Sequence, residues 1–206
     1  MEENLPVRTL CRPMAEGRLG IDVDGVLANT VPSVLERLED EYGHHGDTKE
    51  DVTEWGHTVE VDGKSIPLGS EIVEGHMVEE HLRSINPKQG AKESVETLRG
   101  EGYEVVIVTN RPSDRDTVRW TKSWLEENGL GYDRFHSTAE TTKTAVDVDV
   151  LIDDHDRNVV EFLEDGRPAV LFDQPWNTVP DVDGAGDRME VVTGWEEAVE
   201  TVQRLV

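Results

Sequence analysis

Short apolar runs alternate with amphipathic stretches over most of this chain. The runs Tyr103–Val108, Val148–Ile152 and Ala169–Phe172 are separated by stretches that include apolar residues at helical spacing. An earlier apolar run, Leu19–Val23, has the same character. Runs that are apolar on both faces are typical of buried parallel strands, and the intervening helices then form the crossovers. The pattern therefore predicts an α/β fold with a mostly parallel sheet and helices on both of its faces.

Residues 31–86 interrupt this alternation. They begin with apolar residues at helical spacing, contain a possible hairpin turn at Asp62-Gly63, and include a helical stretch near Glu71–Leu82. The region is too long to be one loop inside a compact domain. We therefore expect a small, mostly helical cap at residues 31–86, inserted after the first strand. Residues 1–30 and 87–206 would then form the core domain.

The charge of the chain narrows the classes of partner. Its 206 residues include 45 Asp and Glu against 20 Lys and Arg, which gives a formal charge of −25. An ordinary nucleic-acid binder needs a basic surface and is therefore excluded. Lysine contributes only six of the basic residues. High acidity with few lysines is typical of proteins from salt-loving organisms, where abundant cations screen self-repulsion, so we hypothesise a halophilic source.

Few features bear on location and assembly. Cys11 is the only cysteine, so no internal disulfide is possible and a reducing compartment fits. No run approaches the ~20 apolar residues that a membrane helix needs, and Met1-Glu2-Glu3 does not open a secretion signal. We expect a cytoplasmic protein with no membrane partner, either a monomer or a homodimer.

Chemically distinctive polar residues follow the predicted strands. Asp22 and Asp24 end the first apolar run, Thr109 ends the second, and Asp153 and Asp154 end a third. The carboxyl ends of parallel strands meet at one edge of a sheet, where ligands of such folds bind. In a straight strand residues i and i+2 share a face, which would place both carboxylates of the first pair together. We therefore expect all five side chains to converge on one crevice.

Four carboxylates from two strands would repel one another without a cation. Oxygen ligands of this kind select Mg²⁺, which commonly binds one or two carboxylates together with a substrate phosphate. Lys143 adds a positive charge, and Thr109 adds a hydroxyl donor. These groups suit phosphoryl transfer, in which one aspartate attacks phosphorus and another acts as general acid and base.

Each of these residues also has an ordinary structural interpretation. Asp22 and Asp24 could belong to a solvated turn, and Asp153 and Asp154 could cap a helix. Arg111 could bind a substrate or pair with a surface acid. The loop that contains Trp176 and Asn177 either approaches the site or packs elsewhere, and these alternatives stay open from the residues alone.

The ordered set Asp22-Val23-Asp24-Gly25-Val26, Thr109, Lys143 and Asp153-Asp154 resembles the four motifs of the haloacid dehalogenase superfamily of phosphatases. The resemblance implies a Rossmann-like parallel sheet, with Asp22 as nucleophile and Asp24 as general acid and base. It implies that Thr109 and Lys143 hold the transferring phosphoryl group. Mg²⁺ would bind Asp22, the backbone carbonyl of Asp24, and Asp153 or Asp154.

A closer resemblance is to the 5'(3')-deoxyribonucleotidase branch, carried by residues 48–55, by Thr109-Asn110-Arg111-Pro112 and by Leu151-Ile152-Asp153-Asp154. It implies a nucleotidase acting on nucleoside monophosphates, with Asn110 and Arg111 as candidate substrate-binding residues. Trp55 would then either pack the cap or stack on a base. The alternatives are a phosphatase of a sugar phosphate or another small metabolite, and a non-catalytic or phospho-accepting Mg²⁺-binding module.

Overall fold

The computed structural model describes residues 17–43, 46–61, 63–70 and 79–206. Its strands, in chain order, are β1 (Arg18–Ile21), β2 (Thr58–Val61), β3 (Lys64–Pro67), β4 (Glu104–Thr109), β5 (Arg134–Ser137), β6 (Val150–Asp153), β7 (Ala169–Phe172) and β8 (Met189–Val192). Its helices are α1 (Thr30–Tyr42), α2 (Leu68–Ser70), α3 (Glu79–Ser84), α4 (Ala91–Glu101), α5 (Arg115–Glu127), α6 (Asp156–Glu164) and α7 (Trp195–Leu205). Cys11 lies outside the described residues.

Six of the strands form one parallel sheet in the order β5-β4-β1-β6-β7-β8. Apolar residues of α4, α5 and α7 pack on one face of this sheet, and those of α6 pack on the other. The predicted α/β class, with helices on both faces of a parallel sheet, is therefore confirmed. β1 lies between β4 and β6, so the chain changes direction across the sheet at β1, and this is where ligands of such folds bind.

The segment between β1 and α4 contains the predicted hairpin. β2 and β3 pair antiparallel, with Thr58 opposite Pro67 and Val61 opposite Lys64, which puts the connecting loop at residues 62–63. Helices α1 to α3 and a 3-10 turn at Lys49–Asp51 make up the rest of its described regular structure. The predicted helical stretch near Glu71–Leu82 falls largely on residues 71–78, outside the described part, and α3 begins at Glu79.

The buried apolar residues of this segment belong to two different clusters. Buried residues of α1 and the hairpin region form a separate cluster from that of the sheet. Leu82 and Ile85, at the other end of the segment, pack in the main core, and the indole of Trp124 donates to Ile85 O at 2.8 Å. The boundaries of a cap at residues 31–86 stay a prediction, and its last residues pack with the core.

No described helix has both the length and the apolar character that crossing a membrane requires.

Candidate active site

The turn after β1 determines where the first two aspartates point. Asp22 N still donates to Ile152 O at 3.0 Å, but the chain then closes a tight turn in which Leu27 N and Ala28 N both donate to Val23 O. Gly25 has φ +73°, a conformation that side chains disfavour. The strand therefore does not continue straight through Asp24 as the alternation rule supposed, and the two carboxylates of Asp22 and Asp24 have different neighbours.

Lys143 is the cation next to Asp22. It lies in a 3-10 turn before β6, and its side chain is 2% exposed. Its Nζ is 2.8 Å from Asp22 Oδ1 and 2.7 Å from Asp153 Oδ2. Lys143 therefore joins the acids at the ends of β1 and β6.

Asp153 and Asp154 are adjacent, but their carboxylates differ in their partners. Asp153 accepts hydrogen bonds from His155 N at 2.8 Å and from Asn158 Nδ2 at 3.1 Å, in addition to its contact with Lys143. Asp154 Oδ2 accepts from the indole of Trp176 at 3.0 Å, while its Oδ1 receives no hydrogen bond from the described residues. Asp154 lines the cavity above the site, so it is the acid of this pair with an oxygen available to a ligand.

Asp24 is paired with an arginine. Arg111 Nε and Nη2 donate to its two oxygens at 2.9 and 2.8 Å, and Thr30 Oγ1 donates to Oδ1 at 2.5 Å. The guanidinium is 2% exposed and also donates to Thr121 Oγ1. Two parallel hydrogen bonds of this kind fix the orientation of a carboxylate. Arg111 thus pairs with a partly buried acid of the site, whereas the sequence analysis considered a substrate or a surface acid.

Thr109 is the last residue of β4, on the other side of β1 from β6, and Asn110 follows it. Thr109 is completely buried, and its hydroxyl accepts a hydrogen bond from Arg111 N at 3.3 Å. Asn110 Oδ1 accepts from Thr138 Oγ1 at 2.6 Å. The cavity wall at this point is formed by Asn110, Arg111 and Pro112.

The surroundings of three of these acids shift their pKa values in opposite directions. Burial raises the pKa of Asp22 to about 7, and the charges of Asp153 and Asp24 add to that rise while Lys143 opposes it. Burial raises the pKa of Asp154 well above its usual range, and the charges of Asp22 and Asp153 add to that rise. Burial alone would raise the pKa of Asp24, but the charge and hydrogen bonds of Arg111, with the Thr30 hydroxyl, bring it below its usual value.

These acids form a candidate metal centre. One carboxylate oxygen from each of Asp22, Asp153 and Asp154 lies within 4.8 Å of the other two, and all three residues are buried. With Asp24 there are four carboxylates, and the ion pairs in the described part of the chain bring them two cationic side chains, Lys143 and Arg111. The unbalanced negative charge and the oxygen-only donors fit a hard divalent cation.

A cavity of about 230 Å³ opens above this centre. Its floor includes Asp22, Asp24 and Asp154, and its far wall includes Val31, Trp55 and Gly69 from the inserted segment. Trp55 stacks on the ring of His155, with the ring centroids 4.2 Å apart and the planes inclined by 13°. The inserted segment therefore covers the acids, as expected of a cap.

Three further polar residues support the site and escaped the sequence analysis. Thr30 and Asn158 hold Asp24 and Asp153, and Gln174 Nε2 donates to Gly25 O at 2.7 Å. Nothing about a single threonine, asparagine or glutamine marks it in a sequence. The periodicity of α6 does place Asn158 one turn after the acid pair, which is the only signal that could have suggested it.

Solved structures share this fold. A haloacid dehalogenase-like family hydrolase from Xanthomonas campestris aligns with a TM-score of 0.55 and 17% identity, over 93% of this chain and 96% of that chain. A HAD family hydrolase from Deinococcus radiodurans R1, solved with bound phosphate and sodium, aligns with a TM-score of 0.58 and 15% identity, over 94% and 97%. Fold and site together define the class as that of the haloacid dehalogenase-like phosphatases, which are hydrolases.

The family can be stated more narrowly. The family model described as "5' nucleotidase, deoxy (Pyrimidine), cytosolic type C protein" matches residues 17–204, and this chain belongs to that family. A Bacillus subtilis (strain 168) protein named "Putative nucleotidase YqfW" is 28% identical over 118 residues. That match covers 54% of this chain and 57% of the relative, so this chain spans little more than half the length of that protein.

Proposed function

We propose that this protein is a Mg²⁺-dependent phosphomonoesterase that works through an aspartyl-phosphate, and that it acts as a 5'-nucleotidase on (deoxy)nucleoside monophosphates. The observation that carries the proposal is the buried cluster of Asp22, Asp153 and Asp154. Lys143 contacts Asp22 and Asp153, and a cavity is lined by Asp22 and Asp154. Membership of a nucleotidase family supports the choice of substrate.

In this proposal Asp22, the backbone carbonyl of Asp24 and Asp154 hold Mg²⁺. Asp154 is chosen over Asp153 because it lines the cavity and keeps Oδ1 without a donor, whereas both oxygens of Asp153 already accept hydrogen bonds. Asp153 then serves to fix Lys143. When bound, the cation supplies positive charge to the cluster and to the phosphoryl oxygens of a substrate.

The first chemical step uses Asp22 and Asp24. An Oδ atom of Asp22 attacks phosphorus, the bond from phosphorus to the ester oxygen breaks, and an aspartyl-phosphate forms. The leaving alkoxide takes a proton from Asp24 and departs as the nucleoside hydroxyl. Lys143, beside Asp22, lies where it can stabilise negative charge on the transferring group, and Thr109 and Asn110 are proposed to contact the same group.

The second step restores the enzyme. Asp24, now ionised, accepts a proton from a water molecule, whose oxygen attacks phosphorus. The bond from phosphorus to Asp22 breaks, and inorganic phosphate leaves. Arg111 lowers the pKa of Asp24 and orients its carboxylate, which suits the basic role in this step. Whether Arg111 also contacts substrate, as the sequence predicted, stays part of the proposal.

The cavity supports a small substrate with an apolar portion. Its volume of about 230 Å³ lies below the range of about 300–1,000 Å³ that is common for larger ligands. Trp55 and Val31 give the cap side an apolar surface that suits a nucleobase better than a sugar.

The family description names a cytosolic type, which agrees with the expected cytoplasmic location.

A phosphate-release panel at high salt tests the proposal. Deoxynucleoside monophosphates, ribonucleoside monophosphates and sugar phosphates are compared with Mg²⁺ and with chelator. We expect repeated turnover of nucleoside monophosphates that chelator removes and Mg²⁺ restores. Preferential turnover of sugar phosphates would refute the substrate, activity in chelator would refute the metal, and release limited to one phosphate per protein would indicate a phospho-accepting module.

A further inference from the structure

Trp176 contacts both the inserted segment and the acids of the candidate site. It lies in the loop after β7 and is 5% exposed. Its ring packs in the apolar cluster of the inserted segment, here named the cap cluster, whose other buried members are Val31, Val34, Leu35, Leu38, Val52, Val59 and Leu68. All of these residues come from the region between β1 and α3, whereas Trp176 comes from the sheet domain. It is the sheet domain's contribution to the described cap cluster.

The polar edge of the same ring contacts the metal centre. Trp176 Nε1 donates to Asp154 Oδ2 at 3.0 Å, and an indole N–H can only donate. Two neighbours in the loop fix its position: Asn177 Nδ2 donates to Asp154 O at 2.7 Å, and Gln174 Nε2 donates to Gly25 O at 2.7 Å. The loop therefore holds both the acid pair after β6 and the turn after β1.

Two further contacts tie the ring to the cap. Trp55 meets it edge-on, with centroids 6.0 Å apart, and Lys49 Nζ lies 5.7 Å from the ring centroid. The indole cannot turn without leaving the cap cluster, and a turn would take its N–H away from Asp154. The same indole therefore contacts both the inserted segment and the Asp154 carboxylate.

We propose, on the basis of the metal site proposed above, that Trp176 is a positioning residue that couples seating of the cap to the orientation of the Asp154 carboxylate. Groups that hydrogen-bond to metal ligands commonly change metal affinity by about 10- to 100-fold. Coupling between two sites is reciprocal, so a bound divalent ion also favours the seated cap. The cation site is then complete only when the cap covers the cavity.

The first test measures the binding of Mn²⁺ to the whole chain by calorimetry at high salt. Mn²⁺ is added alone, without substrate. W176F keeps the ring and removes the N–H, and we expect it to weaken Mn²⁺ binding about tenfold. W120F is the matched control, because the Trp120 indole has no hydrogen-bond partner among the described residues. Equal affinity in W176F and W120F would overturn the proposal.

Leu68→Ala tests the coupling from the cap side. Leu68 is a buried member of the cap cluster, and its substitution leaves the indole N–H in place. We expect Leu68→Ala to weaken Mn²⁺ binding several-fold in the native background and not further in W176F, since coupled residues give non-additive effects. The same loss in both backgrounds would show that the cap acts by another route and would overturn the coupling.

A measurement on the unsubstituted protein covers the case in which W176F does not fold. Mn²⁺ should slow amide exchange in α1 and at residues 49–55, because the ion favours the seated cap. Unchanged exchange there, with Mn²⁺ bound, would overturn the coupling while leaving the metal site intact. Failure of the native protein to bind Mn²⁺ at all would instead refute the proposed metal site itself.

Discussion

At the residue scale, two aspartates two positions apart have opposite environments. Burial, with the charges of the neighbouring carboxylates, raises the pKa of Asp22 to about 7, while Arg111 lowers that of Asp24. Distinct environments are how a pair of carboxylates acquires two different roles in one site. In the proposed mechanism the acid in the metal cluster attacks phosphorus, and the acid bound to arginine moves protons.

The raised pKa of Asp22 predicts a pH effect on stability in the absence of divalent ions. A carboxyl group whose pKa is higher in the folded state than its usual 3.8 favours folding at low pH, and that contribution is lost as pH rises toward about 7. Asp22→Asn removes the ionisation. In chelator, the melting temperature of Asp22→Asn minus that of the native protein should therefore increase between about pH 4 and 7.

Asp181→Asn is the control, because Asp181 is exposed and distant in sequence from the site acids. With saturating Mg²⁺ the native protein should melt at a higher temperature than Asp22→Asn, since it then gains binding energy that the variant lacks. A melting difference in chelator that stays flat with pH would contradict the raised pKa.

A second prediction concerns Asp24. Asp24→Asn keeps the shape of the side chain but removes its acid and base function, so turnover of alkyl phosphates should fall about 10²- to 10⁴-fold. Formation of the intermediate from p-nitrophenyl phosphate, whose leaving group needs no proton, should fall much less. Stopped-flow release of p-nitrophenol compared with steady phosphate release measures the two steps separately. An equal loss with both kinds of ester would argue against proton transfer by Asp24.

At the element scale, the turn after β1 places Gly25 directly against the Asp154 carboxylate at the end of β6. A Cβ at Gly25 would overlap the Asp154 carboxylate, and the residue has φ +73°. We predict that Gly25→Ala loses Mn²⁺ binding by at least about tenfold, because Asp154 must move. Gly43→Ala is a matched control: Gly43 has φ +65° but no neighbour within 4 Å of the added methyl group.

Both substitutions strain a left-handed position, at a cost of about 1–2 kcal/mol, so both should melt at a lower temperature. Only Gly25→Ala should also lose metal, as calorimetry with Mn²⁺ would show. Native affinity in Gly25→Ala would mean that the turn relaxes without disturbing Asp154.

The elements also show what the sequence could and could not reveal. Apolar runs located β1, β4, β6 and β7, and the polar residues that end them converge as the sheet rule requires. β5, whose four residues are only partly buried, was not predicted. The strand ends at Ile21 and a turn follows, so Asp22 and Asp24 have different partners, Lys143 and Arg111, although both line the same cavity. The partners of Arg111 and Trp176 depend on contacts between residues 87 and 22 positions apart, and no local pattern encodes such contacts.

At the scale of the whole molecule, the acidity predicts a requirement for salt. A formal charge of −25 gives strong self-repulsion that counter-ions screen. We expect the melting temperature to rise by several degrees between dilute buffer and molar KCl, given that about 1 kcal/mol shifts the midpoint by roughly 2–4 °C in a chain of this size. Differential scanning fluorimetry over a KCl series measures it.

Asp154→Asn separates this general effect from the metal centre, because the substitution weakens the proposed cation site and leaves the acidic surface almost unchanged. The rise with KCl should persist in that variant. A native protein that stays fully folded, with an unchanged melting temperature, in dilute buffer with chelator would contradict the halophilic hypothesis.

The sheet, the covered cavity and the cluster at the strand ends lead to one chemical statement, that Asp22 carries the phosphoryl group. Acid quenching of the Asp24→Asn variant during turnover of p-nitrophenyl phosphate with Mg²⁺, followed by peptide mass spectrometry, tests it directly, because that leaving group needs no proton. We predict one phosphoryl group on the peptide that contains Asp22, and none when Asp22→Asn is added. Phosphorylation of another residue, or none while native protein turns over the same substrate, would contradict the mechanism.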